Sequence, residues 1–337
     1  MRFLLATFLL LLAAACDNGA VRPSADPTEK RSSAEARPSP SPTPTAASPG
    51  GAKPDEQVVW VAIEDAGQIV AVDVRAREVI RRHTVPSGPH NLSVAADGTV
   101  AVAGPPAGKV SIIKDEKVRE VALGGGPHDV KWAEDLLVVT NEGAARLDLV
   151  SRAGEKRGQV GLKANPHDVA ISQDAATAWV SLDGSDEIAV VDLKQRTVRY
   201  VSTGQRPHDL LFDARGRPWV TDWGGVVHVF SAGAELVQTL ELGTEAHHLT
   251  FTPDGTEAWI IDHGTHQVFV VGTNNLNVRA SLPVTGAPHH VAITPNGRLA
   301  LVADHDNGTL VVYNVATRRK VTDIQVGPGP HGVWAAP

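Results

Sequence analysis

Seven histidines recur along this chain at nearly even intervals. The string Pro-His, followed by a polar or small residue and then Val or Leu, stands at Pro89-His90, Pro127-His128, Pro166-His167, Pro207-His208, Pro288-His289 and Pro330-His331. A seventh copy, Ala246-His247-His248-Leu249, carries Ala in place of Pro. The intervals between these histidines are 38, 39, 41, 39, 42 and 42 residues. Imidazole is the side chain that exchanges a proton near neutral pH, and its neutral form ligates zinc, copper, nickel and iron. Further histidines crowd the later repeats: His248, His290, His263, His266 and His305. Gathered on one axis, these rings with nearby carboxylates could satisfy the three or four coordination demands of a transition ion.

The elements that would have to position them follow from the same period. Each interval reads as four short strands separated by turn chemistry. The first strand follows the histidine, as in His167-Asp168-Val169-Ala170-Ile171, and leads to turns such as Asp97-Gly98, Asp254-Gly255 and Asn296-Gly297. Gly after Asp or Asn supplies the positive φ that a tight hairpin needs. The second strand is apolar and often carries Trp (Ala178-Trp179-Val180, Ala258-Trp259-Ile260), and the third is β-branched (Ile188-Ala189-Val190-Val191). The fourth is more polar, as in Thr197-Val198-Arg199-Tyr200-Val201, which suits an outer edge. No helical periodicity appears beyond the N-terminal segment, so stacked helix pairs are excluded. Four strands per period of about 40 residues predict propeller blades.

The count also closes. The folded region, 57–337, opens with second, third and fourth strands and ends at Pro330 with a lone first strand. These fragments complete one another into a seventh blade, so the fold class is an all-β, seven-bladed propeller. In such a ring the fourth-to-first loops and the second-to-third loops emerge on one face. The first set brings His90, His128, His167, His208, His247, His289 and His331; the second brings Glu64, Asp65, Asn141, Glu142, Asp183, Asp222, Trp223, Asp262, His263, Asp304, His305 and Asp306. Two roles stay open for the ring. It forms a polar or metal-binding funnel, or each imidazole donates a ring N–H to a carbonyl of the neighbouring blade, a structural role that duplication would copy. The Asp or Asn after four of the histidines (Asn91, Asp129, Asp168, Asp209) reads as a local backbone hydrogen-bonder.

Composition narrows the chemistry. Lys and Arg total 31 against 38 Asp and Glu, a net charge of −7 with the basic residues scattered, which argues against nucleic-acid binding. Cys16 and Met1 are the only sulfur-bearing residues, so a processed chain has no disulfide framework and must bind metal through nitrogen or oxygen. Residues 1–16 place Arg2 before an apolar run, Phe3 to Leu12, and end in Ala13-Ala14-Ala15-Cys16. The run is too short to span a bilayer and reads as a secretory signal. Either an ordinary signal peptidase cuts after the small residues, or the segment resembles the lipobox of bacterial lipoproteins, with Cys16 carrying diacylglycerol and anchoring the chain on the extracytoplasmic face of the cell membrane. Residues 17–56 are rich in Pro, Ser, Ala and Thr and cannot bury enough apolar area to fold. As a coil they span roughly 35 Å, a tether between membrane and domain.

Two motifs resemble a known family. Gly-Ala-Pro-His-His-Val-Ala-Ile-Thr-Pro-Asn-Gly (286–297) and Trp-Val-Ser-Leu-Asp-Gly-Ser-Asp-Glu-Ile-Ala-Val-Val-Asp (179–192) are similar to the YVTN-type (YncE-like) repeats of exported propellers. That resemblance implies the fold, with histidine standing where the family more often has Gly or another small residue. A second set, Arg206-Pro207-His208 with Trp219-Val220-Thr221-Asp222-Trp223-Gly224, resembles virginiamycin B lyase, a seven-bladed propeller that opens a lactone by magnesium-assisted elimination. It implies His208 or His289 as acid or base and Asp222 or Asp304 near the magnesium. The expectations are therefore a tethered, monomeric propeller that binds a divalent transition metal (copper or zinc), a small ligand or a partner protein on its histidine face; a metal-dependent lyase or hydrolase at that face; or a plain interaction scaffold.

Overall fold

The computed structural model describes residues 58–335 apart from residue 205. The signal with Cys16 and the tether 17–56 lie outside the described residues. What is described forms seven four-stranded antiparallel sheets. Apart from two single turns of 3-10 helix, Glu64–Ala66 and Glu142–Ala144, no helix occurs among the described residues, and none there is long and apolar enough to cross a membrane.

Closure follows the expected plan. Pro330–Ala335 is the innermost strand of a sheet completed by Val58–Ile63, Gln68–Asp73 and Glu78–Thr84. Its register aligns Trp60 with Trp334 and Val61 with Val333. The first and last strands thus hold each other, and the closing blade has its full four strands.

Strand alternation explains why the ring coheres. Successive side chains of Val58–Ile63 point to opposite faces. Val59, Val61 and Ile63 pack with Leu301, Ala303, Leu310 and Val312 of the preceding blade. Trp60 and Ala62 pack with Leu92, Val94, Val100 and Val102 of the following one. The second and third strands are therefore buried on both faces, which is why these segments read as continuous apolar runs. Burial of one such Val or Ile side chain contributes roughly 1.5–3 kcal/mol. The fourth strands, such as Lys117–Ala122 and Leu236–Glu241, expose most of their residues at the rim.

The turns between first and second strands use Gly in the left-handed region: Gly98, Gly255 and Gly297 have φ of 80°, 68° and 68°. The preceding side chain locks each turn, since Asp97, Asp254 and Asn296 accept the backbone N–H two residues on, from Thr99, Thr256 and Arg298. Only the glycine takes positive φ, so the acid or amide contributes its side-chain acceptor rather than its backbone freedom.

Candidate functional site

The site is built by a repeated fault in the inner strands. Register breaks fall between Pro127 and Val130, Pro166 and Val169, Pro207 and Leu210, Ala246 and Leu249, and Pro288 and Val291. The closing blade breaks register opposite Val61 and Ile63, between Pro330 and Val333. In every case the histidine and its successor occupy the bulge. A bulge adds a residue to one strand and re-aims side chains locally, and here both residues reach the central channel.

The histidines form a closed ring at the channel mouth. Neighbouring imidazole centroids lie 4.3 Å apart for His90 and His128, 3.9 Å for His128 and His167, and 4.4 Å for His167 and His208. The circle continues at 4.0 Å for His208 and His247, 5.6 Å for His247 and His289, 4.6 Å for His289 and His331, and 3.6 Å for His331 and His90. His263 occupies the widest interval, 5.5 Å from His247 and 4.9 Å from His289. His305 stands over His289 at 4.8 Å, whereas His266 lies farther out, stacked on His263 at 6.5 Å.

Beneath the ring lies a second layer: Asn91, Asp129, Asp168, Asp209, His248 and His290, with Gly332 in the closing blade. Asn91 Nδ2 donates to Asp168 Oδ1 at 2.9 Å, reaching past the intervening blade. His248 and His290 are 4.4 Å apart. A Cβ on Gly332 would stand 2.6 Å from the carbonyl oxygen of His90, so only glycine permits this approach.

The residues after the histidines do more than the local bonding expected of them. Asp129 Oδ2 accepts the N–H of Val169 and Asp209 Oδ2 that of Leu249, each in the next blade. The bulge turns these N–H groups toward the channel, where the neighbouring carboxylate is the acceptor within reach. A further stitch went unread in the sequence. Thr140, Ser181 and Thr221 accept the N–H of Asp129, Asp168 and Asp209 in their own blades. Each then donates to the carbonyl of the next blade's histidine, His167, His208 or His247. A hydroxyl at the same place in the second strand of three successive blades was the available signal. Ring N–H contacts to a neighbouring carbonyl occur at His128, to His167 at 3.2 Å, and at His247, to His289 at 3.0 Å.

Electrostatics divides the ring. Burial, followed by mutual repulsion among the imidazoles, holds His90, His208, His247, His248 and His331 well below the usual histidine range. Burial likewise brings His289 and His290 down to about 3. All seven are neutral at physiological pH, the form that ligates metals. His167 is the exception: burial opposes its charge, yet the Asp168 carboxylate 3.2 Å away raises it to about 9. Lys131 is held charged against burial by Asp129, whose oxygens lie 2.8 and 2.9 Å from Nζ. Burial and the charge of Asp168 push Asp209 well above the carboxylate range. Beyond this layer the channel opens into a cavity of about 270 Å³ lined by Lys131, Asp209, His290, Leu211 and Trp334 among others.

Four groups of side chains bring ligand atoms within 4.8 Å of one another: His208, His247 and His248; Glu64, His90 and His331; His128, His167 and Asp168; and Asp168, Asp209 and His248. Several ring nitrogens in these groups are buried without a hydrogen-bond partner: Nδ1 of His90, His208 and His331, and both nitrogens of His248. The second-to-third loops reach the funnel, as expected, through Glu64, Trp223, His263 and His305, whereas several of their other acids and amides serve the backbone. Asp304 accepts from Gly286 N and Asn307 Nδ2, and Asp262 from Thr244 N, Glu245 N and Thr265 N. Asn141 accepts from Gly126 N, and Asp222 Oδ1 from Gly224 N. Asp304, Asp262 and Asn141 tie down the loops that carry the histidines, Asp222 Oδ2 is buried without a hydrogen-bond partner, and neither Asp222 nor Asp304 falls within a ligand group among the described residues. Glu64 does reach the ring.

This architecture has a match among known families. The profile of the YNCE-like beta-propeller family covers residues 148–337 of this chain. The chain belongs to that family. Several solved propellers share the fold of this YNCE-like protein. A functionally unknown protein from Desulfotomaculum acetoxidans is 12% identical with a TM-score of 0.76, covering 83% of this chain and 99% of its own. A putative 6-phosphogluconolactonase from Bacteroides fragilis is 18% identical with a TM-score of 0.72, covering 86% and 100%. Virginiamycin B lyase from Staphylococcus aureus is 13% identical with a TM-score of 0.66, covering 74% and 91%. At these identities the likeness is one of fold. No curated protein sequence matches the chain.

Proposed function

We propose that this YNCE-like propeller is a membrane-tethered, extracytoplasmic metal-binding module whose histidine face captures a divalent transition ion of the zinc or copper class. The observation that carries the reading is the buried trio His208, His247 and His248, with ligand atoms within 4.8 Å of one another and with His208 Nδ1 and both His248 nitrogens unpartnered. Leaving polar atoms buried and unsatisfied costs about 1–3 kcal/mol each, and a bound cation would remove that cost. The donors are nitrogen ligands already in the unprotonated form that metal binding requires. Imidazole selects zinc, copper or nickel over calcium or magnesium, which favour oxygen. Lipidation at Cys16 and the Pro-rich segment 17–56 supply the tether in this reading.

A magnesium-dependent lyase draws less support. It needs a carboxylate to hold the metal near His208 or His289; Asp304 is engaged by Gly286 N and Asn307 Nδ2, and Asp222, although its Oδ2 is buried without a hydrogen-bond partner, falls outside the four close ligand groups among the described residues. The test is metal analysis of the full-length protein, purified in detergent without chelator and then incubated with zinc or copper. A stoichiometric ion that is lost in His208→Ala supports the reading. Less than about 0.1 ion per chain after incubation overturns it.

A further inference from the structure

We propose that His248 bridges two cations, with one held above by His208 and His247 and a second held below by Asp168 and Asp209. The inference rests on the metal reading of the ring and adds a second, oxygen-bearing site to it. His248 belongs to both buried ligand groups, His208–His247–His248 and Asp168–Asp209–His248. It is the residue of the second layer whose two ring nitrogens are both buried and without a hydrogen-bond partner. Its Nδ1 stands 3.2 Å from Asp209 Oδ2, too poorly aligned for a hydrogen bond yet within reach of a shared ion.

The charges of the channel leave room for that ion. Lys131 is matched to Asp129 and His167 to Asp168. Among the described residues Asp209 makes no ion pair with a Lys or Arg: its oxygens accept the N–H groups of Leu210 and Leu249, and Nδ1 of His248 beside it makes no hydrogen bond. Each carboxylate oxygen can accept at two positions, so Asp168 and Asp209 keep lone pairs for a metal after these bonds are counted. The two seats differ in kind. The upper is all nitrogen and the lower has two oxygens, which suits a harder ion or a second copper. When both are filled, the remaining N–H proton of His248 is lost to solvent as the second nitrogen–metal bond forms. No atom changes oxidation state.

The test uses full-length protein in detergent, stripped with chelator and loaded with copper(II) sulfate alone. The expected result is about two copper ions per chain. Their integrated paramagnetic resonance signal should fall well below one spin per ion, because the shared imidazolate couples the two spins. Asp209→Asn should retain one copper with full signal. One copper per chain with full signal in the wild type overturns the bridge, and that readout holds even if the variant fails to fold. A single ion removed by His247→Ala but kept by Asp209→Asn sinks the bridge and leaves the ring reading standing. Wild-type protein that holds no copper sinks both.

Discussion

His90 and His331, from opposite ends of the folded chain, lie side by side with ring planes tilted by 34° and centroids 3.6 Å apart, the shortest interval in the histidine circle. The contact exists because Pro330–Ala335 pairs with Val58–Ile63 and seats the last histidine beside the first. The proposed metal binding at the mouth is therefore tied to closure of the ring.

Weakening the seam should be felt at the site. Ile63 is fully buried between the closing blade and its neighbour, and Ile63→Ala should cost about 2–5 kcal/mol by the usual core-truncation range. Urea denaturation gives the stability change. Metal titration of the still-folded variant should show weaker binding, although no ligand has been altered.

Stability should depend on pH in a specific sense. His289 and His290 have folded values near 3 against an unfolded value near 6.5, so they bind fewer protons folded than unfolded between those limits. Their contribution is present above pH 6.5 and is lost as the pH falls toward 3, by roughly 2 kcal/mol each at pH 5. His167 acts oppositely, since its raised value stabilises below pH 6.5 and that support fades as the pH climbs through about 9. Metal-free protein followed by thermal melting should be most stable near neutrality and fall steeply on the acid side. A melting temperature flat from pH 4 to 7 would contradict the neutral ring.

The hydroxyl stitch should be worth measuring alone. Thr221 accepts from Asp209 N and donates to the carbonyl of His247. Thr221→Val keeps the shape and strands both partners in the interior, a loss of about 1–3 kcal/mol per unsatisfied group. Calorimetry should record it, while Thr84→Val, exposed at the end of the rim strand Glu78–Thr84, should change little.

Ring and rim histidines should separate in binding assays. His247→Ala removes a buried donor and should weaken zinc at least about tenfold, or 1.4 kcal/mol. His305, partly exposed over His289, lies outside the four ligand groups, and His305→Ala should shift affinity less than threefold. Equal losses would move the metal from the ring to the rim.

The proposed lipid anchor at Cys16 gives a prediction independent of the propeller. Cys16→Ser should abolish acylation and release the protein from the membrane fraction, as read by labelled-lipid incorporation and fractionation. Unchanged membrane association would favour another anchor.

Sequence by itself determined the architecture. A four-strand unit repeated about every 40 residues, with Asp-Gly and Asn-Gly at its turns, is local chemistry, and the unmatched first and last fragments make the closing blade readable without coordinates. It also determined that the seven histidines share one face, since strand direction alternates inside every blade. Only the tertiary structure decided what lies beneath them. The bulges that bring Asp168, Asp209 and His248 into the channel are breaks of register, and a period-two reading of the strand hides them. Whether a carboxylate serves its own turn, a neighbour's backbone or a cation depends on which groups come within about 3 Å. Those partners stand a blade or more apart in sequence, and Asp168 and Asp304, alike as isolated residues, are set apart by closure of the ring.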